Sequence, residues 1–238
     1  VTLASHEMTI HKRRLMTQKY AYLERVKELA GQAIMKLEDL RGLFMFEKLL
    51  LGSSADLTKP QYSSQIVTSA DTTLKKDHLV SLKKVFSTNH VEMAIILCNP
   101  ATLDDMLAWN ADSIDQLTMR EIWEGGAKYQ LWDTIVVKTS MLIPEKYVYG
   151  LSTPEKNGRV PELLPLTIEL TETKNRLEKG LFMYEFIGFY LNSHKTIGKL
   201  ILQHTPGNPV IDLSYGDAIK QMAKKDNYEV GFGSREEV

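Results

Sequence analysis

A single cysteine, Cys98, leaves the 238-residue chain with no partner for an intrachain disulfide, so its stability should not depend on redox conditions. Cys98 closes the stretch Met93-Ala94-Ile95-Ile96-Leu97-Cys98 and reads as a small buried side chain, not a nucleophile. Such runs fall far short of the roughly 20 apolar residues that span a bilayer, which argues against a membrane class. There is no Asn-x-Ser/Thr acceptor, and residues 1–15 lack a basic start followed by an apolar segment. The expected compartment is the cytosol, or a particle assembled there. Excess charge is missing too: 29 Lys and Arg stand against 30 Asp and Glu, for a net charge of -1. Nothing here draws the whole chain to phosphate or anionic lipid, so any nucleic-acid contact would have to be local.

Motifs for catalysis are equally scarce. His6-Glu7-Met8-Thr9-Ile10-His11 resembles a helical zinc-protease motif, but its histidines are five apart. At about 100° per residue they would diverge on a helix, and on a strand they would face opposite sides. His78, His90, His194 and His204 have no Cys or carboxylate at ligand spacing and read as surface or partner-contact residues. Adjacent carboxylates at Asp104 and Asp105 diverge on a helix and are better explained by the dipole of a helix start. Gly125-Gly126 lacks the rest of a phosphate loop, Gly231-Phe232-Gly233 joins no strand to a helix, and there is no Gly-x-Ser-x-Gly elbow. No cofactor, metal or enzymatic activity is expected.

What the chain does have is pattern. Leu23, Val26, Ala30, Ala33, Leu37, Leu40 and Phe44 recur at three- and four-residue steps, which predicts one long amphipathic helix over residues 18–51, stopped by Gly52. Gly31 and Gly42 inside it each cost about 1 kcal/mol of helix propensity and suggest close packing or a bend. A polar loop over 53–70, with a short strand near 65–68, leads to a second helix capped by Asp71. Its face is Leu74, Leu79, Leu82, Val85 and Phe86, with Lys75, Lys76, Lys83 and Lys84 outward. The apolar run over 93–98 reads as a strand covered on both faces, followed by a helix capped by Thr102 with Asp104 and Asp105 in its first turn. Ser113 can begin a further helix that reaches Trp123. Segments at 134–137, 147–149, 166–170 and 180–191 predict an antiparallel sheet. In the last of them Phe182, Tyr184, Phe186 and Tyr190 share one face, and Leu181, Met183, Ile187, Phe189 and Leu191 the other, so both faces need cover. A helix over 215–224 is expected in the tail.

This order of elements resembles the major capsid proteins of tailed bacteriophages, with their Hong Kong 97-type shell fold. A polar arm enters a very long helix. Then follow a strand ending in Asn99-Pro100-Ala101-Thr102-Leu103, the segment Leu131-Trp132-Asp133-Thr134-Ile135-Val136-Val137, and Ile143-Pro144-Glu145-Lys146-Tyr147-Val148-Tyr149-Gly150. The resemblance covers residues 1–204 and implies an α+β fold. Residues 1–16 would be the return strand of an extended loop, and 17–70 a peripheral domain with a spine helix. Residues 71–204 would form an axial domain with the remaining peripheral strands, leaving 205–238 as a tail. Family members carry an arm and an outgoing loop strand before the position of Val1, so a processed or late-starting chain is expected.

The function so implied is self-assembly, through pentamers and hexamers, into an icosahedral viral head. Packaged double-stranded DNA would be held by weak non-specific contact, and scaffold, portal or decoration proteins would be further partners. Localisation would be the virion, and the host cytoplasm during assembly. Subunit-interface candidates are Glu7, Lys12, Arg13 and Arg14 of the arm, with Gly125, Gly126, Asn157 and Arg159 in loops. An encapsulin-type nanocompartment is the close alternative. A soluble hydrolase or metal enzyme using His6, His11 or Cys98 is the alternative of another class.

Overall fold

The computed structural model describes residues 2–4, 8–11, 22–109, 129–131, 135–173 and 178–225. It divides into two compact units, one of Val1–Phe44, Val160–Tyr190 and Leu213–Val238, the other of Met45–Arg159 and Leu191–Asp212.

In the first unit, strands β1 (Thr2–Ala4) and β2 (Met8–His11) pair antiparallel with β10 (Glu178–Ile187), and β9 (Glu162–Thr173) pairs with β10 along its other edge. The register slips between Tyr184 and Ile187, where β9 contributes Pro165. Proline has no N–H for the ladder, which confines it to an edge strand and favours a bulge there. The two faces of β10 are unequal. Met183, Glu185 and Ile187 are buried, whereas Phe182, Tyr184 and Phe186 are half-buried and form a ladder with centroids 5.4 and 6.0 Å apart. A carboxyl group thus interrupts the face expected to be apolar.

Helix α1 (Tyr22–Leu51) has 30 residues, about 45 Å at 1.5 Å per residue. Residues 22–44 belong to the first unit, where Ala30, Ile34, Leu37, Leu40, Arg41 and Leu43 are buried. Ala33 and Phe44, expected in the stripe, are half-buried instead. Close packing at Gly31 and Gly42 is not found, since a Cβ added at either would meet nothing within 4 Å. In the same unit, helix α5 (Ser214–Lys225) buries Tyr215 and Ile219 and brings Gly216 against Phe44, where a Cβ would approach the ring to 2.8 Å.

The second unit is built on a six-stranded sheet, in order β3 (Ile66–Thr68), β12 (Ile197–Ile201), β7 (Tyr147–Leu151), β4 (Ile95–Cys98), β6 (Ile135–Thr139) and β5 (Tyr129–Leu131). β3 with β12 and β4 with β6 run parallel, and the other pairs antiparallel. The single antiparallel sheet expected after residue 134 is therefore corrected. β6 and β7 join this mixed sheet, while β9 and β10 belong to the other unit. The interior strand β12 was not anticipated, because Gly198 and Lys199 break its apolar run.

Helix α2 (Lys76–Thr88) packs Leu79, Leu82 and Phe86 into the core with Met93, Ile96, Cys98 and Val148. It sits on Gly150 and Gly198, which face each other across β7 and β12. A Cβ at either would come within 2.9 and 2.8 Å of the Phe86 ring. Lys75, Lys76, Lys83 and Lys84 are exposed, as expected.

Two capping assignments change. α2 begins at Lys76 with Lys75, not Asp71, at its N-cap. Helix α3 (Pro100–Leu107) is capped by Asn99, whose side chain accepts from Ala101 N at 3.0 Å, with Pro100 at its first position. Thr102 is instead buried and donates to Glu145 O at 2.8 Å. Asp104 and Asp105 lie beyond the first turn, and Asp105 accepts from Leu74 N at 3.0 Å. Gly52 does end α1, with φ +63° and its N–H returning to Lys48 O at 3.1 Å.

Candidate functional site

The described residues contain one arrangement with the composition of a catalytic triad, in the second unit. His78 Nε2 lies 2.9 Å from Asp71 Oδ2 and 3.0 Å from Ser69 Oγ. The backbone of Lys75 donates to His78 Nδ1 at 3.1 Å, so that nitrogen is the acceptor and Nε2 carries the proton. A triad needs serine and aspartate on opposite ring nitrogens, with a vacant lone pair turned toward the serine. Here both share the protonated nitrogen, so the imidazole cannot take the Ser69 proton. What the arrangement does is close the start of α2. Asp71 also binds Lys75 Nζ at 2.8 Å, and that hydrogen bond is the main cause that holds its carboxyl below the usual range. His78, expected as a surface or partner-contact residue, is mostly buried against Asp71. The His194 ring stacks on Tyr62 at 3.7 Å and 9°.

A denser polar cluster lies in the core of the same unit. Lys199 and Glu47 are fully buried and paired at 2.6 Å. Lys199 also donates to Val210 O at 2.9 Å and sits 4.0 Å from the Tyr147 ring centroid. Glu47 accepts from the Tyr149 hydroxyl, and from Asp212 N at 3.0 Å. Burial pulls the Lys199 pKa down, against the opposing pull of Glu47. With 0% exposure on both side chains no substrate reaches them. Their role is to fasten the end of α1, β7, β12 and the 210–212 segment to one another. Sequence reading missed this cluster; its one signal was a lysine between Ile197-Gly198 and Leu200-Ile201.

Cys98 is buried, and burial pushes its thiol up to about 12, which keeps it a thiol at neutral pH. No group of three or more His, Cys, Asp or Glu among the described residues could hold a metal ion. No described helix is long and apolar enough to cross a membrane.

Of the interface candidates, Glu7, Lys12, Arg13, Arg14, Gly125 and Gly126 lie outside the described residues, as does the helix expected from Ser113 to Trp123. Asn157 closes the short helix α4 (Pro154–Asn157) and is half-buried. Its amide donates to Ser152 O at 2.9 Å and accepts from Ser152 Oγ at 3.1 Å, and its carbonyl accepts from Asn192 N at 2.9 Å. Asn157, expected in a loop, thus ends α4 and leads into the two-residue strand β8 (Gly158–Arg159), and the exposed Arg159 is the side chain that strand presents. Large exposed apolar groups were not anticipated. Leu163 (87%), Val160 (59%) and Ile168 (43%) lie on or beside β9 in the first unit, and Met141 (81%) in the β6–β7 turn of the second. Single exposed apolar residues are ordinary, but Leu163 and Ile168 on β9, with Val160 beside it, mark a surface suited to contact on a strand that has no second partner among the described residues.

No protein-family model and no curated protein matches the sequence. Solved structures match in fold. The capsid of Myoviridae phage XM1 is 10% identical over 84% of this chain and 72% of its own, with a TM-score of 0.54. The mature capsid of bacteriophage PhiM1 is 11% identical, with coverages of 87% and 72% and a TM-score of 0.56. The holo-SrpI encapsulin complex from Synechococcus elongatus PCC 7942 is 13% identical, with coverages of 87% and 75% and a TM-score of 0.53. The chain has the Hong Kong 97-type shell fold, mixed α and β.

Proposed function

We propose that this chain, carrying the Hong Kong 97-type fold, is a structural shell subunit that assembles with copies of itself into an icosahedral viral head around double-stranded DNA. One observation carries the reading: phage capsid subunits match 84–87% of the chain in fold. At 10–11% identity the side chains have changed almost entirely while the layout persists. The geometry supports a function exerted through area. The densest polar cluster is sealed, and the serine–histidine–aspartate set has its proton on the wrong nitrogen for nucleophilic work. Exposed side chains such as Leu163, Met141 and Arg159 offer contact surface instead. An ordinary interface removes about 1,600 Å² in total, and a shell subunit forms several. The return-strand, peripheral and axial assignments, and the arm residues Glu7, Lys12, Arg13 and Arg14, belong to this proposal. So do location in the virion and contacts with scaffold, portal or decoration proteins.

The encapsulin match favours a second reading, a nanocompartment that encloses protein cargo. One experiment separates them. Particles purified after expression and viewed by negative-stain microscopy should be closed shells. Nuclease-protected DNA in particles from the native source supports the viral head, and enclosed protein supports the nanocompartment. A protein that stays monomeric at high concentration, with all native segments present, overturns both.

A further inference from the structure

Glu185 occupies an unusual position in the first unit. It lies on the inward side of β10 between Met183 and Ile187 and is only 4% exposed. It falls where the β9–β10 register slips near Pro165; the extra residues lie on β9, so β10 keeps its alternation and places the carboxyl group inward with Met183 and Ile187, where an apolar residue would suit the face. Its Oε1 is buried with no hydrogen-bond partner. Among the described residues the titratable groups that face it are acidic: Glu38 from α1, within hydrogen-bonding reach, and Glu162 from β9. On the remaining side β1 places Leu3 opposite Glu185, and Thr2, Leu3 and Ala4 have nothing to titrate. Arg41 is the buried cation of the same helix, one turn beyond Glu38, and its Nε has no hydrogen-bond partner among the described residues.

We propose that Glu185, Glu38 and Glu162 form a proton-operated latch that holds β10 against α1 while Glu185 is protonated and loosens the unit when it ionises. The chemistry runs one way. An ionised Glu185 would be desolvated, would lack a donor for its inner oxygen, and would face two like charges. Two carboxylates cannot hydrogen-bond each other, whereas a neutral Glu185 can donate to Glu38. Burial first, then the hydrogen bond and charge of Glu38, then the charge of Glu162, raise the Glu185 pKa from 4.5 to about 8.

The sign of the pH effect follows. In the unfolded chain Glu185 titrates near 4.5, and in the folded chain near 8. Between these values the folded state holds one more proton, so stability is greatest below the lower value and declines as pH rises through the window. Above about 8 both states are ionised and the slope vanishes. The unit is tight in mild acid and loosest in mild alkali. This latch does not depend on the shell reading, and its test is made on the folded subunit.

The test is amide hydrogen exchange of β10 in the full chain, wild type against E185Q, stepped from about pH 4.5 to about pH 9.5. Intrinsic exchange rates cancel in the ratio of the two opening constants. That ratio should rise by up to about tenfold per pH unit and level off near pH 8. A ratio independent of pH overturns the latch. Should E185Q not fold, the wild type decides by itself. Its Glu185 side-chain carbon, followed by NMR, should titrate far above the ordinary glutamate range and move down in E38Q. An ordinary midpoint overturns the proposal.

Discussion

Lys199 shows how little a residue's chemistry says about its use until its surroundings are known. A lysine amid Ile197, Gly198, Leu200 and Ile201 looks like an interruption, yet it is the centre of the second unit's polar network. Breaking a fully buried pair leaves the surviving charge without compensation and costs about 3–5 kcal/mol. Lys199→Met alone should lower stability by that amount in urea unfolding. Lys199→Met combined with Glu47→Leu should recover much of the loss, because apolar groups of similar volume can replace a buried pair. A double variant as unstable as the single one would show that the hydrogen bonds to Tyr149, Asp212 and Val210 matter more than the charges. Cys98 makes the opposite case, since its apolar neighbours already implied burial. Its thiol should resist alkylation at pH 8 in the native protein and react at once in denaturant. Rapid native labelling would mean that the core around β4 opens readily.

At the scale of elements, the glycines of α1 and those of the second unit's sheet do opposite things. Gly31 and Gly42 lie in α1 with open space beside them among the described residues, so each lowers helix propensity without close packing there. G31A and G42A should each stabilise the isolated subunit by up to about 1 kcal/mol, read as a rise in melting temperature. If either variant assembles poorly while melting higher, the space beside that glycine is filled by a neighbouring subunit. Gly150 and Gly198 make a flat seat for Phe86, and alanine at either would force ring and strand apart. A loss of about 1–3 kcal/mol is expected from G150A or G198A, measured by denaturant midpoint. The same pair explains why β12 was hard to read. Its glycine serves a helix more than 100 positions earlier in the chain, which local periodicity cannot reveal.

For the whole molecule the question is assembly. Arg159 is exposed at the end of β8, just after Asn157 with its hydrogen bonds to Ser152 and Asn192, so reversing its charge should leave the fold intact. Under the shell reading, R159E should reduce particle yield on size exclusion while the circular dichroism of the subunit is unchanged. Charge reversal at Arg13 or Arg14 should behave the same way. Loss of folded monomer in these variants, without any change in assembly propensity, would count against the interface assignment.

The sequence by itself determined the elements whose signals are local. Three- and four-residue spacing made α1 legible to its stop at Gly52, and apolar runs bounded by turns located β4, β6 and β7. Even the shell fold was legible, from the order of those elements. The tertiary structure alone decided which strands share a sheet, because β9 and β10 carry the same β-forming residues as β6 and β7 and differ only in what lies beside them. It also decided which polar residues go inside. Glu47, Lys199 and Glu185 are ordinary charged residues in one dimension, and only partners far away in sequence make their burial possible.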